Sequence, residues 1–342
     1  MERRKVLIFI SVSLIFMLGL IMIFSTTSAE VLDHDLEKST HQAFFRQILY
    51  AMIGLGLSYA VWKAGYKKVL DYSFPLLCLF SFLLLLVLIP GIGKEVNGSK
   101  RWIGIAGFSF QPSEFVKYIV PAYFIHSYMK FEGKAFTFVD FLKLMGTVAI
   151  PILLILVEPN NGTAAVVGMT IVVLCLLAQI SFKFWALPLG ILVVIGSISA
   201  FHLPYVSARI KVYLHPELDL KGKGHQPYQA KIAAGSGGLI GKGPGNSLQK
   251  LSYLPEAQND YIAAIYAEEF GFIGMMLLIS LYMLLAYLGF SIASQAPDRA
   301  SCYFAGSITF LITFQAFLNL GVVSGLLPST GLNLPFFSQG GT

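Results

Sequence analysis

Val6-Leu-Ile-Phe-Ile-Ser-Val-Ser-Leu-Ile-Phe-Met-Leu-Gly-Leu-Ile-Met-Ile-Phe24 carries no charge across nineteen residues and follows the basic start Arg3-Arg4-Lys5. A spanning helix needs roughly 20 apolar residues, whereas the apolar core of a signal peptide is roughly 7–15. This run, followed by Thr27-Ser28-Ala29, reads as a retained first membrane helix. Similar runs begin near Ile48, Ser73, Phe115, Phe141, Gly162, Phe184, Phe270 and Tyr303. Hydrophobic residues make up 56% of the 342 and charged residues 12%, about half the share of a soluble chain. Mean hydropathy is +0.72. These values exclude a soluble enzyme, a disulfide scaffold and a disordered chain. The expected fold is all-α, a polytopic helix bundle of about nine spans forming a single membrane domain over 1–342.

Loop cations orient the bundle. With the N-terminus in the cytoplasm, Arg3, Arg4, Lys5, Lys63, Lys67, Lys68, Lys130, Lys134, Lys143, Lys183 and Arg299 lie inside. Only Lys38, Arg46, Lys94, Lys100 and Arg101 occupy short outer loops. Residues 202–261 form one large outer loop, with Arg209, Lys211, Lys221, Lys223, Lys231, Lys242 and Lys250 against Glu217, Asp219, Glu256 and Asp260. That excess suits an anionic ligand or lipid headgroup, or a solvated loop with scattered lysines.

Several chemistries lack their signatures. Gly235-Ser-Gly-Gly-Leu-Ile-Gly-Lys-Gly-Pro-Gly245 fits neither the P-loop nor GxGxxG. Its glycines instead permit close approach of backbone or of an extended ligand. The six histidines form no HExxH, and GxSxG is absent. Cys78, Cys175 and Cys302 form no CxxC and read as buried small hydrophobes.

What remains is charge where charge is expensive. Glu114 and Lys117 lie at i,i+3 in the fourth span, as a neutralising ion pair, as groups facing an anionic cavity, or as both. Lys100, Arg101 and Trp102 just before them suit an interfacial belt. Asp260 sits where the outer loop enters a span that contains Glu268 and Glu269. It can be read as a general base or as a helix cap.

The chain resembles the SEDS family (shape, elongation, division and sporulation) in three long motifs. The first is Asn97-Gly-Ser-Lys-Arg-Trp-Ile103 with Phe108-Ser-Phe-Gln-Pro-Ser-Glu-Phe-Val-Lys117. The second is Gly243-Pro-Gly-Asn-Ser-Leu-Gln-Lys-Leu-Ser-Tyr-Leu-Pro-Glu-Ala-Gln-Asn-Asp260 with Ala267-Glu-Glu-Phe-Gly-Phe-Ile-Gly274. The third is Gly325-Leu-Leu-Pro-Ser-Thr-Gly-Leu-Asn-Leu-Pro-Phe-Phe-Ser-Gln-Gly-Gly341. Asn246-Ser-Leu-Gln-Lys250 and Leu254-Pro-Glu-Ala257 favour the division-associated FtsW branch over the RodA elongation branch.

The resemblance implies a peptidoglycan glycosyltransferase of the bacterial cytoplasmic membrane, acting on lipid II at its outer face. A lipid II flippase and a non-catalytic scaffold are the alternatives. It implies Asp260 as the catalytic residue and Arg46, Arg101, Trp102, Lys117 and Lys250 as substrate-binding residues. Gln111, Ser113, Glu114, Thr163, Glu256 and Ser338 would support them. Undecaprenyl diphosphate would leave, and a divalent cation (Mg²⁺ or Mn²⁺) would bridge the diphosphate, though no ligands for it can be named. Expected partners are a class B penicillin-binding protein transpeptidase and other division-complex membrane proteins, with no nucleic acid. Gln258-Asn259, Asn160 and Gln339 depart from the family's usual His-Thr, Asp and Tyr. The family also usually has a tenth span.

Overall fold

The computed structural model describes residues 2–34, 41–96, 99–105, 108–190, 212–215, 222, 224–251, 254 and 257–340. Its helices are α1 (Glu2–His34), α2 (His41–Ala64), α3 (Tyr66–Asp71), α4 (Ser73–Leu88), α5 (Pro112–Met129), α6 (Phe138–Val157), α7 (Asn161–Leu177), α8 (His225–Ser236), α9 (Ile262–Ser294) and α10 (Arg299–Val323). Residues 182–190 are also helical. Each of the nine apolar runs therefore begins inside a helix. Among the described residues, α1, α2, α6, α9 and α10 contain segments long and apolar enough to cross a membrane, and α4 and α7 are shorter apolar helices.

The all-α class holds with one addition. Between α4 and α5 the chain folds into β1 (Gly93–Val96), β2 (Ser99–Ile105) and β3 (Phe108–Phe110), an antiparallel sheet in that order. Lys94 pairs with Trp102 and Ile103 with Phe110, and the register shifts between Lys94 and Glu95. The sequence reading treated Arg101 and Trp102 as interfacial loop residues. They stand instead on the central strand.

The described chain divides into two compact units that interleave in sequence. Unit 1 comprises 1–51, 185–288 and 312–340; unit 2 comprises 52–184, 289–311 and 341–342. In unit 1 the core gathers Ile15, Met22 and Ile23 of α1, Tyr261–Tyr266 at the head of α9, Ala316 and Val322 of α10, and Phe337. Gly19 makes room for the last outer segment, since a Cβ there would stand 2.6 Å from Phe337 O.

In unit 2, Val116, Val120, Phe124, Leu144, Val148, Val166 and Leu174 are buried on α5, α6 and α7. Phe115 lies between Phe80 and Phe110, with ring centroids 5.3 and 4.9 Å away, and so locks β3 against α4 and α5. Thr137 begins α6 with a reciprocal capping box to Asp140. Pro121 and Pro151 lie inside α5 and α6. Membrane helices tolerate such prolines where neighbours re-satisfy the freed backbone groups. Between α9 and α10, Asp298 accepts a 2.6 Å bond from Tyr66, which lowers the carboxyl's pKa.

Candidate functional site

At the head of α5, unit 2 assembles most of the residues singled out between 101 and 163. Pro112 occupies the first turn, where a missing N–H goes unpunished. Fully buried Ser113 follows it. Ser113 Oγ accepts from Gln111 Nε2 at 3.1 Å and from Asn160 Nδ2 at 3.2 Å. Asn160 caps α7, its Oδ1 accepting from Thr163 N at 3.4 Å. That bond fixes the amide's orientation and turns Nδ2 toward Ser113. A hydroxyl has two acceptor positions and one donor. With both acceptor positions filled, Ser113 keeps its own hydrogen to donate.

One turn further, Lys117 is 3% exposed and pairs with Glu114. Its ammonium also lies 5.4 Å from the centre of the Tyr118 ring. Paired burial is the condition under which a charge survives inside an apolar bundle.

Arg101 of β2 reaches the turn between α6 and α7. Its Nε donates to Glu158 O at 3.0 Å and its Nη2 to Pro159 O at 2.6 Å. The bidentate grip fixes the central strand to the turn. Trp102, the next residue, is half-buried. Sequence reading gave Glu158 no role. It is 1% exposed, and neither carboxyl oxygen has a hydrogen-bond partner. Glu158 lies in the turn outside both helices, and burial pushes its carboxyl up to about 8 against the pull of Arg101.

Unit 1 holds the other constellation. Asp260 is half-buried in a turn two residues before α9. Its carbonyl accepts from Asn319 Nδ2 at 2.8 Å, and the same amide donates to Leu332 O at 2.7 Å. Gln315 Nε2 donates to Asn333 O at 2.8 Å. Sequence reading passed over both α10 amides, although a polar amide within an apolar run signals a fixed partner. Ser338 Oγ accepts from Leu334 N at 2.8 Å, and Gln339 N donates to Gln258 O at 3.0 Å. The last outer segment and the turn that carries Asp260 are thus stitched together.

α9 breaks at Gly271 (φ 65°, ψ −164°), and the glycine-rich run fills the break. Lys242 N and Gly243 N donate to Glu268 O and Glu269 O at 3.0 Å, while Phe272 N and Ile273 N donate to Gly238 O and Leu239 O. A Cβ on Gly237, Gly241 or Gly271 would come within 2.3 Å of backbone. Below this seam, Glu268 accepts from Lys242 Nζ, Ser236 Oγ, Ser247 Oγ and the amides of Leu248 and Gln249. Lys250 Nζ donates to Glu269 at 2.8 Å, Ser25 Oγ at 2.9 Å and Gly245 O at 2.7 Å. Lys250 therefore stands as a pin of the loop against α1 and α9. Arg46 is exposed on α2, and Glu256 falls outside the described residues. Among the described residues no three His, Cys, Asp or Glu side chains converge as a metal-ligand cluster.

Comparison with known proteins places this architecture. The family model described as "Cell cycle protein" (FtsW, RodA and SpoVE) matches residues 5–342. Stage V sporulation protein E of Bacillus subtilis is 39% identical over 332 residues, covering 96% of this chain and 90% of the relative. The probable peptidoglycan glycosyltransferase FtsW of Geobacter sulfurreducens is 33% identical over 351 residues, covering 100% and 91%. Its namesake from Coxiella burnetii is 38% identical over 331 residues, covering 95% and 88%. Among solved structures, a chain of a peptidoglycan synthase complex that coordinates polymerization and crosslinking aligns with TM-score 0.77 at 24% identity, covering 98% and 91%. Thermus thermophilus RodA aligns with TM-score 0.69 at 24% identity, covering 98% and 89%. Matched along nearly its whole length, this chain belongs to the FtsW/RodA/SpoVE family of cell cycle proteins.

Proposed function

We propose that the chain is a peptidoglycan glycosyltransferase of the bacterial cytoplasmic membrane that polymerises lipid II at the outer face during cell division. The observation that carries this reading is the set of partnered polar groups at the head of α5 in unit 2, with Ser113, Lys117, Asn160 and Thr163 buried and Arg101 and Glu114 half-buried. Such groups are costly in a membrane and mark functional paths. Near-full-length relatives named as probable peptidoglycan glycosyltransferases support the same assignment.

In the proposed reaction Asp260 accepts the proton of the acceptor sugar's 4-hydroxyl. The freed oxygen pair forms a bond to the donor's anomeric carbon, and the bond from that carbon to the diphosphate oxygen breaks. The donor configuration inverts, and undecaprenyl diphosphate leaves with the electron pair. Arg46, Arg101 and Lys117 bind the diphosphate, which gains charge in the transition state, so their attraction lowers the barrier as well as aiding binding. Glu114 holds the Lys117 ammonium in place, the Ser113 hydroxyl donates one further hydrogen bond, and Trp102 lines the sugar or lipid path. Lys250 supports the site through the loop it pins. A divalent cation, Mg²⁺ or Mn²⁺, enters this reading only with the substrate's diphosphate, since such ions lean on phosphates plus one or two carboxylates. No step depends on it. The proposed partner is a class B penicillin-binding protein that crosslinks the new strands, alongside other division-complex membrane proteins; the fold shared with a peptidoglycan synthase chain supports this.

Purified protein reconstituted with its partner and labelled lipid II tests the reading. Glycan strands made by the wild type and absent with Asp260→Ala are the expected result. Movement of lipid II across vesicles without polymer would replace it with the flippase.

A further inference from the structure

We infer that Phe336 is a contact residue for the polyprenyl chain of the substrate, held inside the hydrocarbon layer on the segment that is tied to the Asp260 turn. This rests on the glycosyltransferase reading above.

Three observations lead there. First, Phe336 has φ 62°. Phe337 N donates to Leu334 O at 3.1 Å, so Pro335 and Phe336 are the two central residues of a tight turn. Proline followed by a left-handed residue is the type II pattern, and that second place normally takes glycine. A bulky side chain there is strained, and such strain gathers at sites of function. Leu334 and Phe337 on either side are 1% and 0% exposed, whereas Phe336 is 39% exposed. Core packing therefore offsets less of the strain at Phe336 than it would at its neighbours.

Second, the turn lies deep. Tyr282 OH donates to Pro335 O, and Tyr282 stands eleven residues along α9 from the break at Gly271, about 16 Å at 1.5 Å per residue. Gly19, which receives Phe337, lies within the uncharged run Val6–Phe24. Both contacts put the turn inside a hydrocarbon layer about 30 Å thick. Irregular backbone persists at such depth only where its polar groups are satisfied. The carbonyls of Leu332, Asn333 and Pro335 accept from Asn319, Gln315 and Tyr282, and that of Leu334 from Phe337 and Ser338.

Third, both ends of the segment are tied to the turn that carries Asp260. Asn319 joins Leu332 O to Asp260 O, and Gln339 N donates to Gln258 O. Phe336 stands four residues from one tie and three from the other. A lipid-linked sugar reacting at Asp260 trails its chain from there into the hydrocarbon layer, which is where this ring is presented.

The test uses the full chain in nanodiscs of defined phospholipid with labelled undecaprenyl diphosphate. Affinity and melting temperature are measured for the wild type, F336G, F336A and F336L. Glycine accepts the left-handed backbone, so F336G should melt above F336A. Binding should instead follow the side chain. F336G and F336A should both weaken about tenfold, within the worth of one aromatic ring's burial, and F336L should stay within about threefold of the wild type. Affinities that follow the melting order would reduce Phe336 to a structural residue and overturn the inference.

Photocrosslinking separates substrate from bulk lipid. The benzophenone of Phe336→p-benzoylphenylalanine should give an undecaprenyl-to-phospholipid adduct ratio about tenfold above that of the same group at Leu277, an exposed position on α9. Equal ratios, or no adduct at 336, would overturn the inference. Wild type that binds the lipid and shows these contacts but makes no glycan would count against the glycosyltransferase reading and leave the role of Phe336 standing. Wild type that fails to bind the lipid overturns both.

Discussion

Asn319 holds Asp260 by its backbone: one α10 amide group donates to the carbonyl of Asp260 at 2.8 Å and to that of Leu332 at 2.7 Å. This bond is made to the backbone of the residue proposed as general base, not to its carboxylate. Asn319→Ala strips a donor from two carbonyls at once, at a cost of about 1–3 kcal/mol. Polymerisation by reconstituted N319A should fall at least about tenfold through kcat, with the KM for lipid II changing less, because misplacement by an ångström slows chemistry more than binding. Unchanged kcat would separate Asn319 from the placement of Asp260.

Removing one partner of a buried ion pair strands the other. Glu114→Gln should therefore weaken lipid II use by misplacing Lys117, while Lys117→Ala should nearly abolish it. Steady-state KM and kcat for both variants, at matched folded protein measured by circular dichroism, decide the point. Equal and mild effects would reduce the pair to a structural salt bridge.

Glu268 gathers Lys242, Ser236, Ser247 and two backbone amides. Glu268→Ala leaves all of these donors without their acceptor, and a loss of about 3–5 kcal/mol follows from breaking a buried charge network. Limited proteolysis should then cut within 235–251 in the variant, where the wild type resists.

The buried acid of the α6–α7 turn also predicts how stability varies with pH. The folded carboxyl ionises at about 8, against an ordinary 4.5, so the folded chain binds more protons than the unfolded one between those values. Stability therefore falls with rising pH through that window and levels off above about 8. Thermal unfolding in detergent should show E158Q gaining on the wild type between pH 5 and pH 8, by at most a few kcal/mol at about 1.4 per unit. A constant gap across that range would contradict it.

Asn160→Asp restores the carboxylate usual in the SEDS family and reverses one bond. The new oxygen would accept the Ser113 hydrogen that Asn160 now leaves available for donation. The variant should fold as well as the wild type and show a KM for lipid II raised several-fold, as a donor to substrate is withdrawn. A KM that stays level would remove Ser113 from the substrate's contacts.

The apolar helices and the Glu114–Lys117 pair were legible because each is a local pattern: run length or i,i+3 spacing. The use of Gly237 and Gly241 for close backbone approach was legible for the same reason, since few other roles require so many glycines in one run; the matching role of Gly271, outside that run, was not. The three-stranded sheet was not, because its strands are short and lie in a stretch read as an interfacial belt. Nor were the roles of Glu158 and Asn319 visible. Both depend on what the fold brings beside them, the guanidinium of Arg101 in one case and the carbonyl of Asp260 in the other. Gln258 and Gln339 looked like troubling departures. Their bond joins N–H to carbonyl and makes no demand on either side chain.

The break at Gly271 also bears on how this protein can be handled. On a topology diagram, residues 235–251 are a roomy outer loop, the natural address for an epitope tag or a fluorescent insertion. In three dimensions Gly238, Leu239, Lys242 and Gly243 supply the hydrogen bonds that α9 lacks at its break. An insertion there would sever a transmembrane segment's own ladder, from outside the segment.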